Sequence, residues 1–298
     1  MNAVTGALSF TGRAIAEELL RRGERVVSLS RRDDPDDPLR PRIDLKPLRF
    51  DDSLVASLQG VHTLYNTFWI RFERGRMTFD DAVRRTIALF EAARSAGVAR
   101  VVHLSVSGAD AADDLPYFRG KHRIEQWLGQ SDLDWAIVRP TLVFGSSDIL
   151  VNNIAWILRR LPLFLVPRPV GCLVQPVSVR DTARIAIDAE PRVVQDAAGP
   201  EVHEFGHFVR SIASAIGSRA RIASAPRPVA LAFVRVGNAA VRDVVVTRDE
   251  LEGLSRSLLT SSMPPKGADR FSEWLRDNAG ALGRRYESEL RRNWRGQE

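Results

Sequence analysis

The chain has 298 residues, 43 Lys and Arg against 37 Asp and Glu, a net charge of +6, and 44% hydrophobic residues. That balance excludes a disordered chain, and a single cysteine, Cys172, excludes an intrachain disulfide framework and argues against a structural zinc site. At roughly 100–200 residues per domain, the length corresponds to one large domain or two small ones.

Only Lys46, Lys121 and Lys266 are lysine; every other basic residue is arginine. The arginines are spread among acids and gather in pairs such as Arg21-Arg22, Arg159-Arg160 and Arg291-Arg292, not in runs. This distribution speaks against nucleic-acid binding. No signal peptide is visible, and the most apolar stretch, 149–166, is interrupted by Asn152, Asn153, Arg159, Arg160 and Pro162. The expectation is a cytoplasmic protein with no transmembrane segment and no metal, for which peripheral membrane contact is disfavoured. Oligomeric state is not legible.

Along the chain, Ala3-Val4 ends a very short strand, and Thr11 to Arg22 carries Ile15, Leu19 and Leu20 at helical spacing. Arg25 to Ser30 reads as a strand, followed by a solvated loop from Arg31 to Pro41. A third strand is expected over Pro47–Phe50, a short helix over Ser53–Leu58 and a strand over Val61–Thr67. Phe79 to Ala96 is an amphipathic helix ending at Gly97. Ala99–Ser105 reads as a strand, Tyr117–Leu128 as a helix, and Leu133–Arg139 as a strand stopped by Pro140. Beyond it, Ser147–Leu161 reads as a helix and Leu173–Val179 as a return to the sheet, with Asp181 capping a helix over Thr182–Ile187. Helices are expected over His207–Ile216 and Arg270–Arg292. Alternating strands and helices predict an α/β Rossmann-type, doubly wound parallel sheet with a smaller, mostly helical C-terminal cap. The expected division is a dinucleotide-binding domain over 1–190, with 146–170 contributing to the cap, and a cap or substrate region over 191–298.

Thr5-Gly6-Ala7-Leu8-Ser9-Phe10-Thr11-Gly12 lies between the first strand and helix. Gly6 suits a tight turn, Gly12 suits close helix–sheet packing, and the helix start suits a pyrophosphate. Ser9 stands where a middle glycine would be expected; its hydroxyl can donate to a phosphate, but its Cβ takes room. After the second strand, Ser30-Arg31-Arg32 offers no acid for a ribose 2′-OH, so Arg31, with Arg32, favours the 2′-phosphate of NADP, with NAD the alternative. Asp51 is a candidate for the adenine amine, and Asn66 and Thr67 for the middle of the cofactor; each is equally a strand-end or turn residue.

Tyr117 and Lys121 stand four apart on one helix face. With three tyrosines and three lysines in the chain, chance would place such a pair only about 0.03 times. A lysine beside a phenol lowers its pKa, letting the tyrosine pass a proton to a carbonyl as hydride arrives. Ser105 or Ser107, after the fifth strand, can hold a substrate oxygen.

These residues, with 97–105, Asp134-Trp135-Ala136-Ile137-Val138-Arg139-Pro140, Phe144-Gly145 and Gln175-Pro176-Val177-Ser178-Val179-Arg180-Asp181, resemble the short-chain dehydrogenase/reductase superfamily. The resemblance covers most of residues 1–190. It is to the atypical, extended branch that holds NmrA-like proteins, the NADPH-binding accessory subunit of respiratory complex I and epimerase/dehydratase relatives. It implies Tyr117 as acid/base, Lys121 as its partner and ribose ligand, Ser105 or Ser107 with them, and Gly6, Ser9, Phe10, Gly12 and Pro140 around the cofactor. It also implies that the Arg139–Gly145 stretch closes the nicotinamide side of the pocket. The chain departs from the family at Ser9 and in the short spacing between the serines and Tyr117. Atypical members with that short loop often bind cofactor without demonstrated turnover, so a non-catalytic sensor or assembly module is the second reading.

Overall fold

The structure is a computed structural model that describes residues 1–167, 171–226, 228–230, 232 and 241–294. The chain divides into two compact units, 1–140 with 179–197, and 141–178 with 198–298.

The first unit holds β1 (Asn2–Thr5), β2 (Val26–Ser30), β3 (Asp44–Pro47), β4 (Thr63–Asn66), β5 (Arg100–Leu104), β6 (Asp134–Pro140) and β11 (Val193–Ala197). Its helices are α1 (Phe10–Arg21), α2 (Ser53–Leu58), α3 (Phe79–Ser95), α4 (Pro116–Gln130) and α6 (Val179–Ile187). All seven strands are parallel, in the order β11-β6-β5-β4-β1-β2-β3. Residues alternate between two buried faces. Ala3, Leu64, Val101 and Ile137 pack with α2, α3 and α4 through Leu54, Phe90 and Ile124. Val4, Tyr65, Val102 and Val138 pack with α1 and α6 through Ile15, Leu19 and Ile185. Covering both faces is what a parallel sheet requires. The strand order reverses between β1 and β4, and the crevice at their carboxyl ends is where such sheets take ligands.

The second unit holds β7 (Leu142–Phe144), β8 (Leu163–Pro167), β9 (Leu173–Val174), β10 (Pro176–Ser178), β12 (His203–Glu204) and β13 (Arg221–Ala225). Its helices are α5 (Ile149–Arg160), α7 (Phe205–Ala215), α8 (Arg248–Ser255), α9 (Phe271–Asn278) and α10 (Glu289–Asn293). Phe144, Ile154, Phe208 and Phe271 centre its core, with the Phe208 and Phe271 rings stacked at 4.6 Å.

Four expectations change. The third strand is Asp44–Pro47, not Pro47–Phe50: proline ends the ladder, and Leu48 and Phe50 turn into the core below it. Leu173–Val179 does not return to the main sheet; β9 pairs with β12 and β10 with β7. The seventh strand is instead β11. Arg270–Arg292 is two helices, parted where Gly283 lies so close to α5 that a Cβ would stand 2.4 Å from the Ala155 carbonyl carbon. Asp181 lies inside the first turn of α6, paired with Arg184, because that helix begins at Val179. No described helix is long and apolar enough to cross a membrane. Among the described residues no His, Cys, Asp and Glu cluster could hold a metal.

Candidate dinucleotide site

The turn after β1 is shaped by two glycines. Gly6 takes a left-handed φ of +66°, which a side chain would strain. A Cβ on Gly12 would stand 2.2 Å from the Gly6 carbonyl oxygen, so only glycine lets α1 lie this close. Ser9 precedes α1, yet its hydroxyl makes no capping bond; it donates to the Gly6 carbonyl at 2.6 Å. The donor expected to face a phosphate is thus turned inward. Phe10 opens the helix and is half-buried. With no acid in that first turn, its amide hydrogens are left for an anion.

At the end of β2 lies a cavity of about 410 Å³ lined by Ser30, Arg31, Arg32, Asp33, Pro47 and Arg49 among others. The nearby acids are taken: Asp33 by Arg40 at 2.6 Å, Asp34 by Arg32 at 3.2 Å, and Asp37 by Arg13. Arg31 forms no ion pair among the described residues, and neither does Arg49 or Arg85. Partial burial, then the neighbouring Arg85 charge, lowers the Arg31 pKa. Arg85 comes from α3 and lies over the Phe50 ring at 5.4 Å. Asp51 feels the Arg49 charge and Asp81 the Arg85 charge, but neither carboxylate closes to an ion pair with them, so an anion such as a 2′-phosphate can add to this set. Arg32 is pinned by Asp34 and by its amide bond to Ser30 Oγ at 2.9 Å. Asp51 accepts from the Ser53 amide and hydroxyl, holding the start of α2.

Between β1, β4 and β5 the side chains form a closed network. Thr5 Oγ1 accepts from the Thr67 and Phe68 amides at 2.7 and 3.0 Å and donates to Asn66 Oδ1 at 3.2 Å. The Asn66 amide faces His103 Nδ1 at 3.0 Å. Asn66 Nδ2 must donate there, so the His103 proton sits on Nε2. Burial, and then the charge of Lys121, keeps that imidazole neutral. The Thr67 hydroxyl donates to the Thr5 carbonyl at 2.6 Å. Asn66 and Thr67 therefore fasten the sheet's carboxyl edge.

Lys121 is 3% exposed, and its ammonium donates to the Leu104 carbonyl at 2.6 Å. Burial pushes its pKa down to about 7, against the opposing pull of Glu125. Glu125 is itself buried and held bidentately by Arg139 of β6, with Arg139 also paired to Asp110. Tyr117 is half-buried among rings, edge-on to Trp69, Phe79 and Phe118 at 6.0, 5.9 and 5.3 Å. The Ser105 hydroxyl is buried with no partner in the protein, and the Ser105 amide donates to Val138 O at 2.7 Å. Ser107 is fully buried, its amide bonded to the Pro140 carbonyl at 3.0 Å. Ser105 and the Lys121 ammonium thus lie at the end of β5 and Arg31 follows the end of β2, with the glycine turn after β1 and the Tyr117 ring packed against Trp69. Sequence reasoning missed Trp69, Arg49 and Arg85. Gly120, inside a helix without an evident reason, was the one signal of Trp69.

A glycine turn under a helix start, at the switch point of a parallel sheet ordered β3-β2-β1-β4-β5-β6-β11, is the arrangement of a Rossmann-type dinucleotide-binding fold. Residues 6–146 match the family described as NAD(P)H-binding. It is 28% identical over 224 residues to mouse mitochondrial NADH dehydrogenase (ubiquinone) 1 alpha subcomplex subunit 9, covering 70% of this chain and 59% of that one. An uncharacterized protein of Mycobacterium tuberculosis is 27% identical over 217 residues, 72% of this chain but only 23% of its own length. The chain thus spans under a quarter of that relative and little more than half of the mouse subunit. Among solved structures, the Citrobacter sp. triphenylmethane reductase complexed with NADP(H) superposes with a TM-score of 0.74 at 14% identity, over 93% of this chain and 99% of that one. At that identity the likeness is one of fold.

Proposed function

We propose that this chain is an NADPH-dependent oxidoreductase of the atypical short-chain type, or an epimerase-like relative, acting on a small carbonyl or hydroxyl substrate. The observation that carries the cofactor choice is Arg31 and Arg49, outside any ion pair among the described residues, lining the cavity at the end of β2, with the Arg85 charge acting on Arg31. NADPH, when bound, supplies a hydride. The α1 amides and the turn at Gly6 and Gly12 hold its pyrophosphate, and Arg31 its 2′-phosphate. Lys121 donates to ribose hydroxyls and stabilises the ionised form of the Tyr117 phenol. Tyr117 gives its phenolic proton to the substrate carbonyl oxygen, which the Ser105 hydroxyl orients.

A second reading, a non-catalytic NADP(H)-binding module, is favoured by one observation: Lys121 is buried against the Leu104 carbonyl and Tyr117 is packed among aromatic rings. Two measurements separate these. NADPH is expected to raise the melting temperature more than NADH; no shift with either removes both readings. In Tyr117→Phe, turnover on a carbonyl panel is expected to fall about 100-fold or more with NADPH affinity retained. Unchanged turnover removes Tyr117 from the chemistry, and no turnover in the wild type on any substrate leaves the module reading.

A further inference from the structure

The least expected group at the site is Trp69, three residues beyond β4. Its indole lies over the Lys121 ammonium, 4.9 Å from ring centroid to Nζ. It stacks on Phe79 at 5.9 Å and meets the Tyr117 ring edge-on. Its own Nε1 is buried and finds no acceptor among the described residues, although indole N–H groups are ordinarily satisfied when buried. The docking place is cut into α4: a Cβ on Gly120 would stand 2.8 Å from the indole Cη2. Glycine inside a helix is unfavourable relative to alanine, so its presence here has a steric reason. Lys121 is 3% exposed beneath this ring, with three donors and the Leu104 carbonyl as its acceptor among the described residues.

We propose that Trp69 is a movable cover over Lys121, held in the Gly120 notch while the cofactor is absent and displaced when ligand hydroxyls take up the lysine's remaining donors. The inference rests on the cofactor reading above for its ligand, but the cover itself does not. Lys121 cannot bond a ligand oxygen while the indole blocks its open side. The unmade bond of Trp69 Nε1 means that the closed position leaves a donor unsatisfied, which lowers the barrier to leaving it. What the ammonium gives up on uncovering is its cation–π contact with the indole, which ligand hydroxyls replace with hydrogen bonds. A ligand that must displace a cover binds more weakly by the fraction of time the cover is open.

Three lysines make the test direct. Acetic anhydride labelling, read by mass spectrometry, reports Lys46, Lys121 and exposed Lys266 separately. In the wild type Lys121 is expected to acetylate at least about tenfold more slowly than Lys266, the closed fraction setting the ratio. Trp69→Ala, and independently Gly120→Ala, which fills the notch with a better helix former, should bring Lys121 to within about threefold of Lys266. Trp69→Phe should keep protection. The NADPH Kd of Trp69→Ala should fall about threefold to tenfold. Rapid labelling of wild-type Lys121, protection persisting in both alanine variants, or weaker NADPH binding by Trp69→Ala would each overturn the cover. If wild-type protein binds no NADPH, the cofactor reading fails, while the labelling pattern still decides the cover.

Discussion

The Rossmann unit carries cations at two edges of one sheet, and it treats them oppositely. At the β2 edge, Arg31 and its neighbours Arg49 and Arg85 form no ion pair among the described residues, although three acids nearby are each bound to a different arginine. At the β5 edge, Lys121 is buried, covered and bonded to the Leu104 carbonyl. A guanidinium stays charged in either setting, so an open arginine cluster is a permanent anion seat. An ammonium under burial loses its proton near neutrality, so the lysine's charge depends on what covers it. The contrast separates the task of gripping a phosphate from that of tuning a reactive centre.

Lys121→Met should break this contrast most strongly. The folded pKa of about 7 lies below the unfolded value of 10.5, so between them the unfolded chain holds the extra proton. Unfolding free energy must then rise with pH through that window, and below about pH 7 the burial cost is present in full. Lys121→Met removes it, with a gain on the order of a few kcal/mol at pH 6 that shrinks towards pH 10. Urea unfolding of both proteins at pH 6, 8 and 9.5 checks this; a pH-independent gap means that Lys121 is solvated. Arg31→Ala should behave in the opposite way: stability within about 0.5 kcal/mol of wild type, but an NADPH-over-NADH preference reduced about tenfold or more. Calorimetric titration with both cofactors reads it, and equal losses for the two would take the 2′-phosphate away from Arg31.

The fold was legible where physics is local. Alternating strand and helix patterns gave the parallel sheet, the glycine turn gave its ligand end, and the scarcity of lysine marked Lys121. What escaped was set by tertiary position. β11 reads Val-Val-Gln-Asp-Ala, and its Gln195 is buried only because it reaches the Ile185 carbonyl at 3.1 Å, so polarity hid an edge strand. β3, Asp-Leu-Lys-Pro, is another edge strand, with half-buried alternation too weak to see. Trp69 lies outside any periodic element, and its contacts with Tyr117 and Lys121 are some fifty residues away along the chain. Arg85 reads as the solvated face of an amphipathic helix until its neighbours Phe50 and Arg31 are known. Asn66 and Thr67 were recognised as residues at the right edge, but whether they face a ligand or Thr5 depends on rotamers that one sequence does not encode.

The smallest effect tests whether the open edge is one site or scattered charges. Arg49 and Arg85 come from different elements and share only the space around the Arg31 guanidinium. If they complete one phosphate seat, Arg85→Gln and Arg49→Gln should each weaken NADPH binding by only about twofold to fivefold, since long-range charges in water are partly screened. Each loss should diminish as salt rises from 50 to about 300 mM, because the ionic atmosphere takes over their role. The double variant with Arg31→Ala should fall short of the sum, since all three would act on one anion. Strict additivity would instead mean that the arginines act on different parts of the cofactor. NADH binding should be indifferent to Arg85 throughout; a matching loss with NADH would place Arg85 against the adenine or ribose, and the β2 edge would then no longer differ from the β5 edge in being built for a phosphate.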